Sequence, residues 1–397
     1  LKLVMNRRKD IPEIYDLAQP ALELVIRAFS SQVRKRAAQF VASFMSIYKV
    51  SSKQFKKLLQ FALDNLASSK ATARKSLLIF LKHLIKECPM ENVLDQYTEL
   101  ILAYLGTRIA NELDENILPK LRKVIGLLLK SVTNSRFLSM WNLMIKWSST
   151  SGKIVRTGLL LLAICIEYCA AAMVDLFEPL QQVVDVHINS ESFKVKIAAT
   201  ELHRQIVIAS SEIGFTPNLL TTQKILELLS QRETVQTGCE LLHWYLSEYM
   251  ELFNPSEDDL IGISESLISV VVSWHGSINE ASEALTLTLN NLQVPQDVGL
   301  FFEKNHQVIY SIFDELGISA ASKTIIVMMR IFVQVIIQRE CDNHDSLYQV
   351  LLFIRTASLS VDGNEDNQNK KKVQDELKEK TEKALELMRH NIDVDLF

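Results

Sequence analysis

The chain has 397 residues, of which 48% are hydrophobic and 23% are charged, and only 11 are Gly and 8 are Pro. Globular proteins contain roughly 7% Gly and 5% Pro, so tight turns are scarce here. This composition argues against a β-sandwich or an α/β enzyme and favours helices joined by short polar links. At this length we expect two or three domains or one long repeat array.

The charges are sorted by position along the chain. Residues 1–156 contain 26 Lys and Arg against 12 Asp and Glu, a net of +14, whereas residues 157–397 have a net of −18. In an elongated fold the two blocks would lie farther apart than the Debye length of about 8–10 Å and would not neutralise each other. The basic half would then be available to an acidic polymer such as RNA.

Apolar residues recur at helical spacing nearly everywhere, which predicts an all-α protein. One apolar stripe covers residues 58–66 and another covers residues 77–85. Ser51, Asn134 and Ser256 are typical of positions that cap the start of a helix. The apolar run at 158–174 is shorter than the ~20 residues of a membrane span and contains Glu167, so we expect a helix buried within the array.

The five cysteines form no disulfide framework for a chain of this length, and Cys165 and Cys169 share one helical face. The only candidate N-glycosylation sequon, at Asn254, is blocked by Pro255. These features favour a reducing compartment, the cytosol or the nucleus. Because the sequence begins at Leu1 without an initiator methionine, we expect it to be a piece of a longer polypeptide.

A repeat lies beneath the helical pattern. An apolar or small residue followed by a basic or polar one opens alternate predicted helices, and the second residues of these pairs are 40, 48, 34, 40 and 40 positions apart. The pairs are Val33-Arg34, Ala73-Arg74, Leu121-Arg122, Val155-Arg156, Val195-Lys196 and Val235-Gln236. Such spacing is typical of HEAT and armadillo hairpins, which stack to bury their apolar faces. The acidic partner that many HEAT repeats place between the two helices is missing at several positions.

We therefore predict an α-solenoid of degenerate HEAT/armadillo-like helical hairpins over residues 1–358, basic over 1–156 and acidic over 157–358. Residues 359–372 have almost no apolar side chains and are predicted to form a polar linker. Residues 373–397 are predicted to form a C-terminal amphipathic helix that caps the array or docks on a partner.

No catalytic signature is present. The sequence has no phosphate-binding Gly-rich loop, no G-x-S-x-G or H-E-x-x-H motif and no C-x-x-C motif. The segment that starts at Asp362 resembles an EF-hand loop, but Asn367 and Val373 stand where that loop needs Gly and Glu. We predict no enzyme activity, no cofactor, no metal site, no small-molecule substrate and no membrane partner.

Basic clusters are the remaining functional signal. Arg34, Arg74 and Arg122 occupy equivalent repeat positions, so stacking is expected to align them in a row that suits a phosphate backbone. The alternative is that an arginine at this position satisfies groups at a helix end. The candidate residues for RNA or another acidic partner are Arg34, Lys35, Arg36, Lys53, Lys56, Lys57, Arg74, Lys75, Arg122 and Lys123, with a further cluster at residues 7–9. No aromatic platform for single-stranded RNA accompanies them.

Two segments resemble a known family. The segment Gln32–Met45 reads QVRKRAAQFVASFM, and the segment Phe55–Leu113 has a helix ending in N-L, an R-x-S/A-x-L helix, a K-x-x-P-x-x-x-L-D link and a long apolar helix. Their order resembles the DRIM family, very large nucleolar HEAT-repeat proteins of the small-subunit processome associated with U3 small nucleolar RNA. The resemblance covers about 120 of the 397 residues.

The resemblance implies a non-catalytic scaffold in the nucleolus of the nucleus, taken from the C-terminal part of such a protein. Its implied partners are pre-ribosomal RNA, small nucleolar RNA and other pre-ribosome assembly proteins. The alternative is a HEAT-type transport or adaptor protein whose acidic half binds basic peptides. Against that alternative, the acidic residues are not ordered in the Trp-Asn ladder of armadillo cargo grooves.

Overall fold

The structure, a computed structural model, describes residues 12–291 except 49, 89–93, 173–175, 215 and 274–277, together with Glu382. Within these residues all regular structure is helical. The helices are α1 (Pro12–Arg27), α2 (Ser31–Ile47), α3 (Ser52–Asp64), α4 (Ala71–Glu87), α5 (Thr98–Asn111), α6 (Leu118–Ser131), α7 (Asn134–Ser148), α8 (Lys153–Cys169), α9 (Phe177–His187), α10 (Phe193–Ile213), α11 (Thr222–Leu229), α12 (Val235–Glu248), α13 (Met250–Phe253), α14 (Glu257–Ser273) and α15 (Ile278–Asn291). Single 3-10 turns occupy Asn65–Ala67, Asp95–Tyr97 and Ala170–Ala172.

The chain divides into two compact units, residues 1–218 and residues 219–397. In the first unit, consecutive helices pack as hairpins, α1 with α2, α5 with α6, α7 with α8 and α9 with α10, and the 3-10 turn at Asn65–Ala67 contacts both α3 and α4. The second helices α2, α4, α6, α8 and α10 each pack on the next and form what we call the B layer. The first helices α1, α3, α5 and α7 likewise contact one another in sequence and form the A layer. In the second unit, α11 packs on α12 and α14, while α15 packs on α12 and α14.

This architecture confirms the predicted all-α solenoid of HEAT-like hairpins. The two apolar stripes are buried as expected, since Leu63, Phe80 and Leu84 are completely inaccessible to solvent. Neither stripe can be covered within its own hairpin alone, so each pair of helices stacks on its neighbours. The change from basic to acidic sequence after residue 156 falls inside α8, within the first unit.

The helix starts follow the sequence signals closely. The Ser51 hydroxyl accepts a hydrogen bond of 3.3 Å from the Gln54 N–H at the start of α3. Ser256 and Asp259 form a reciprocal pair at the start of α14, where each accepts a hydrogen bond of 3.1 Å from the other's backbone N–H. Such pairs satisfy backbone donors that the first turn of a helix leaves without partners. At α7 the capping position is Thr133, one residue before the predicted Asn134.

Helices α7 and α8 cross at a glycine. A Cβ atom at Gly158 would lie 2.4 Å from the Ser148 nitrogen and 2.9 Å from the Met144 carbonyl oxygen. Only a residue without a side chain allows the two backbones to approach this closely. A second close approach occurs in the B layer, where a Cβ atom at Gly126 of α6 would lie 2.4 Å from the Tyr168 ring of α8.

Several predicted segments lie outside the described residues. These are the polar linker at 359–372, nearly all of the C-terminal helix at 373–397, the end of the array at 292–358 and the basic cluster at 7–9. Among the helices that are described, none is long and apolar enough to cross a membrane.

Candidate acidic-partner interface

The repeat arginines occupy one structural position. Arg34, Arg74 and Arg156 are each the fourth residue of a B-layer helix, and Lys196 is the fourth residue of α10. Arg122 is the fifth residue of α6. The 48-residue spacing before it arises mainly from the ten residues 88–97 between α4 and α5, compared with four residues between α2 and α3. The 34-residue spacing after it reflects the shorter helix α6 and the short links 132–133 and 149–152.

Arg34 and Arg74 use their guanidinium groups in the same way. The Nη1 of Arg34 donates hydrogen bonds of 2.7 and 2.8 Å to the carbonyls of Ala28 and Phe29. The Nη1 of Arg74 donates bonds of 2.9 and 3.0 Å to the carbonyls of Ser68 and Ser69. In both cases the acceptors lie six and five residues earlier, in the link that precedes the helix. Each arginine therefore ties the turn of its hairpin to the following helix.

Arg74 also forms a buried ion pair with the next repeat. Its Nε and Nη2 lie 2.9 and 2.7 Å from the two carboxylate oxygens of Glu112. Arg108 contacts the same carboxylate at 2.8 Å, and the Glu112 side chain is 0% exposed. Burial alone would raise the pKa of Glu112, but hydrogen bonds from Arg74, the Asp114 N–H and Arg108 outweigh it and lower the pKa to about 2. Glu112 therefore remains ionised, because its hydrogen bonds and the two arginines stabilise the buried charge.

Arg122 joins three successive B-layer helices. Its Nη2 lies 2.6 Å from a Glu167 oxygen on α8 and 2.8 Å from a Glu201 oxygen on α10. We call this group the Arg122 clasp. Burial would lower the pKa of Arg122, but the two carboxylates outweigh it and raise the pKa. The guanidinium is thus committed to partners within the first unit.

These contacts bear on the predicted row of arginines, whose binding of an acidic partner stays a prediction. The three residues are aligned at the starts of stacked helices, but Arg34, Arg74 and Arg122 are held by groups of the chain itself. The alternative interpretation, that arginine satisfies groups at the helix end, describes Arg34 and Arg74. An acidic partner would have to displace Glu112 to reach Arg74, whose side chain is only 8% exposed.

The other seven candidate residues are exposed, but they do not share one surface. Lys35, Arg36, Lys75 and Lys123 belong to the B layer, where Lys35, Lys75 and Lys123 each follow the repeat arginine. Lys53, Lys56 and Lys57 belong to α3 in the A layer. The structure therefore separates the lysine cluster of α3 from the others.

Three further basic residues on the B layer were missed by the search for sequence clusters. Lys82 and Lys86 lie on α4 and Lys130 lies on α6, and all three have solvent contact. They are isolated in sequence, but they stand 7 and 11 residues after Lys75 and 7 residues after Lys123. These intervals bring side chains to the same helix face, so helical periodicity of charge was the signal that could have found them.

The described residues contain no group of three or more His, Cys, Asp or Glu side chains suited to hold a metal ion. The paired cysteines of α8 contact each other instead. Their hydrogen bond raises the pKa of Cys165 and lowers that of Cys169.

Comparison with known proteins yields a partial sequence match. U3 small nucleolar RNA-associated protein 20 of Saccharomyces cerevisiae (strain ATCC 204508 / S288c) is 23% identical over 158 residues. The match covers 35% of this chain but only 6% of the yeast protein. No protein-family model matches the sequence. The resemblance predicted from the segments at 32–45 and 55–113 is thus supported at the level of a partial likeness, and membership of the DRIM family stays a prediction.

Solved structures share the fold. The crystal structure of Kap121p has a TM-score of 0.53 and 12% sequence identity, and it covers 91% of this chain and 36% of Kap121p. Kap121p bound to Nup53p gives a TM-score of 0.51 and 9% identity over the same shares of the two chains. These likenesses establish a HEAT-repeat solenoid. At such low identity they show the fold alone.

Proposed function

We propose that the chain is part of a non-catalytic scaffold of the small-subunit processome, which supports small-subunit rRNA processing and assembly in the nucleolus. Its partners are pre-ribosomal RNA, small nucleolar RNA and other assembly proteins. The observation that supports this proposal is the partial sequence similarity to U3 small nucleolar RNA-associated protein 20. Because the chain spans only 6% of that protein's length, it would supply one segment of a much larger surface.

The use of charge within the first unit agrees with a scaffold. The arginines at repeat positions stabilise links and neighbouring helices, whereas lysines beside them remain on the surface. A solenoid held together in this way presents extended surfaces for large partners. Contacts with pre-ribosomal RNA would then fall to the exposed members of the candidate set, such as Lys35, Lys75 and Lys123.

The proposal is tested by expressing the tagged chain in cells and separating small-subunit precursors on a sucrose gradient. We expect the chain to sediment with the precursors and to enrich U3 small nucleolar RNA and unprocessed pre-ribosomal RNA after affinity purification. The tag alone is the matched control. Sedimentation only as free protein, with no enrichment of either RNA over the tag, would reject the proposal.

A second candidate function is supported by the charge of the second unit. Helices α12–α15 contain nine Asp and Glu residues and no Lys or Arg. Such a surface suits a transport or adaptor protein that binds basic peptides. Fluorescence anisotropy with a labelled basic localisation peptide would test this candidate. Salt-sensitive binding that depends on these helices would favour it, and absence of binding at low salt would reject it.

A further inference from the structure

The positive charge of the first unit is concentrated in three stacked helices. Helices α2, α4 and α6 contain eleven Lys and Arg residues and a single acidic residue, Glu87, a net of +10. The next two helices of the B layer, α8 and α10, contain five basic and three acidic residues, a net of +2. The excess of positive charge therefore lies at one end of the B layer.

Six of these eleven basic side chains are exposed and a seventh, Lys82, is half-buried, and none of the seven has a charged partner among the ion pairs of the described residues. We call them the basic B face, and they are Lys35, Arg36, Lys75, Lys82, Lys86, Lys123 and Lys130. Lys130 also approaches the Tyr168 ring, at 5.4 Å from its centroid. Glu87, the last residue of α4, accepts a hydrogen bond of 2.6 Å from the Ser43 hydroxyl of α2 and lies 3.6 Å from His83.

The size of the basic B face follows from helix geometry. Three packed helices with axes about 8–10 Å apart span roughly 16–20 Å across the layer. Lys75 and Lys86 are separated by about 16 Å along the helix axis, at 1.5 Å per residue. A nucleic-acid duplex carries about one phosphate charge per 1.7 Å of its axis, so about ten phosphates lie along such a footprint.

We propose that the basic B face binds double-helical RNA through its phosphate backbone and without regard to base sequence. The inference rests on the proposed function in its choice of RNA as the partner, and it goes further by assigning the binding face and the form of the RNA. Lysines with flexible stems reach phosphates as point charges and form no rigid bidentate pattern. Such contacts fix the position of a backbone but carry no sequence information.

The side chains around the face favour a duplex over a single strand. Proteins that bind single strands stack successive bases on exposed aromatic rings. The described residues of α2, α4 and α6 contain no strongly exposed aromatic side chain, since Phe40, Phe44 and Phe80 are partly or fully covered. Phe29 is strongly exposed, but it lies in the link before α2, and a lone ring forms no platform for successive bases. The paired bases of a duplex need no such platform.

The face also suits RNA better than an acidic protein. Protein interfaces depend on a buried centre of apolar or aromatic anchors. In the three helices the large apolar side chains that are strongly exposed are Val33 and Ile47, which lie near the two ends of α2. Two more, Phe29 and Leu113, lie outside the helices in the links before α2 and α6. An acidic protein would use these peripheral anchors, whereas a duplex would not.

The test measures binding of the whole chain to a labelled 20-base-pair RNA duplex of arbitrary sequence over a salt titration. The variant Lys75→Gln/Lys82→Gln/Lys86→Gln removes three charges from the basic B face. Each lost phosphate contact lowers the slope of log affinity against log salt by about 0.9, so we expect a decrease of about 2–3 and at least a tenfold weaker affinity at low salt. The matched control, Lys53→Gln/Lys56→Gln/Lys57→Gln, removes the same charge from the A layer and should leave the slope nearly unchanged.

A second pair of measurements separates the partners. We expect Phe29→Ala/Leu113→Ala to bind the duplex like the unmodified chain, and a polyglutamate peptide of equal charge to compete poorly. Equal losses in the two lysine variants, no loss in the α4 variant, or tighter binding of polyglutamate than of duplex would each overturn the inference. Absence of the chain from small-subunit precursors, with duplex binding by the basic B face intact, would instead count against the proposed function alone.

Discussion

Arg74 and Glu112 lie 38 residues apart in the sequence, yet the guanidinium of one donates two hydrogen bonds to the carboxylate of the other. Arg74 is in the second hairpin, and Glu112 is in the link of the third. The same arginine holds the turn of its own hairpin through the carbonyls of Ser68 and Ser69. One side chain therefore connects the turns of two consecutive repeats.

Removal of this arginine is predicted to weaken the boundary between the second and third hairpins. Arg74→Ala leaves Glu112 buried with Arg108 as its remaining charged partner, and breaking a buried ion pair costs roughly 3–5 kcal/mol. Arg34→Ala at the equivalent position removes hydrogen bonds to two carbonyls and to the Ser76 hydroxyl but no ion pair, and should cost about 1–2 kcal/mol. Hydrogen exchange of peptides from α4 to α6, measured by mass spectrometry, reports the local loss of stability. Equal protection in the two variants would contradict the assigned difference.

Glu112 is predicted to contribute to acid sensitivity. Its pKa in the folded chain is about 2 instead of 4.5, so the stabilisation is complete above the unfolded value and is lost as the pH falls toward 2. Urea unfolding of Glu112→Gln should show lower stability than the unmodified chain at pH 7. The difference between the two proteins should shrink between about pH 4.5 and pH 2. A difference that is constant over this range would show that the charge of Glu112 is not responsible.

His203 is predicted to act in a different pH window. Burial lowers its pKa from 6.5 to about 4, so the fold favours the neutral ring. Because the unfolded chain binds a proton more readily, stability is complete above about pH 6.5 and declines as the pH falls toward 4. In His203→Gln the slope of stability against pH over this window should be smaller, whatever the absolute stability. An unchanged slope would assign the pH dependence to another group.

Two glycines make a matched pair for a test of helix packing. Gly158→Ala places a methyl group 2.4 Å from the Ser148 nitrogen, so α7 and α8 must separate, at a cost of at least about 1–3 kcal/mol. Gly262→Ala in α14 meets no atom within 4 Å and should stabilise the chain by about 0.5–1 kcal/mol. Thermal unfolding followed by far-UV circular dichroism measures both shifts. The expectation fails if the two variants shift the transition in the same direction.

Arg122 and Lys123 are neighbours on α6, and their substitution compares a charge that forms ion pairs with a charge that is exposed to solvent. Arg122→Ala opens the clasp to Glu167 and Glu201 and should lower stability by about 1–2 kcal/mol. Lys123→Ala removes a solvent-exposed charge and should change stability by less than about 0.5 kcal/mol. Unfolding midpoints in urea compare the two variants directly. A loss of stability in Lys123→Ala as large as that in Arg122→Ala would contradict the assignment.

The sequence predicted the architecture because the signals that carry it are local and periodic. Apolar stripes specify helices, and the basic residue recurs at the fourth position of B-layer helices with little drift. Caps at Ser51 and Ser256 also depend on residues three positions apart. Such patterns are visible without any knowledge of tertiary contacts.

The partners of the arginines were not predictable in the same way. Whether Arg74 faces water or Glu112 depends on the path of a link 38 residues later, and Arg122 contacts Glu201 at a separation of 79 residues. Both contacts depend on how the hairpins stack, and a count of charges along the sequence carries no information about that stacking. The separation of the α3 lysines from the basic B face likewise depends on the division into two layers.

The uneven charge of the B layer has a consequence for how a long polyanion would lie on the molecule. Attraction is strong over α2, α4 and α6 and nearly absent over α8 and α10. The surface would therefore bind a short length of duplex at one end of the B layer. The rest of the duplex would not be held along the solenoid. The unbound part of the duplex would stay free to contact other surfaces while the bound part keeps a fixed position.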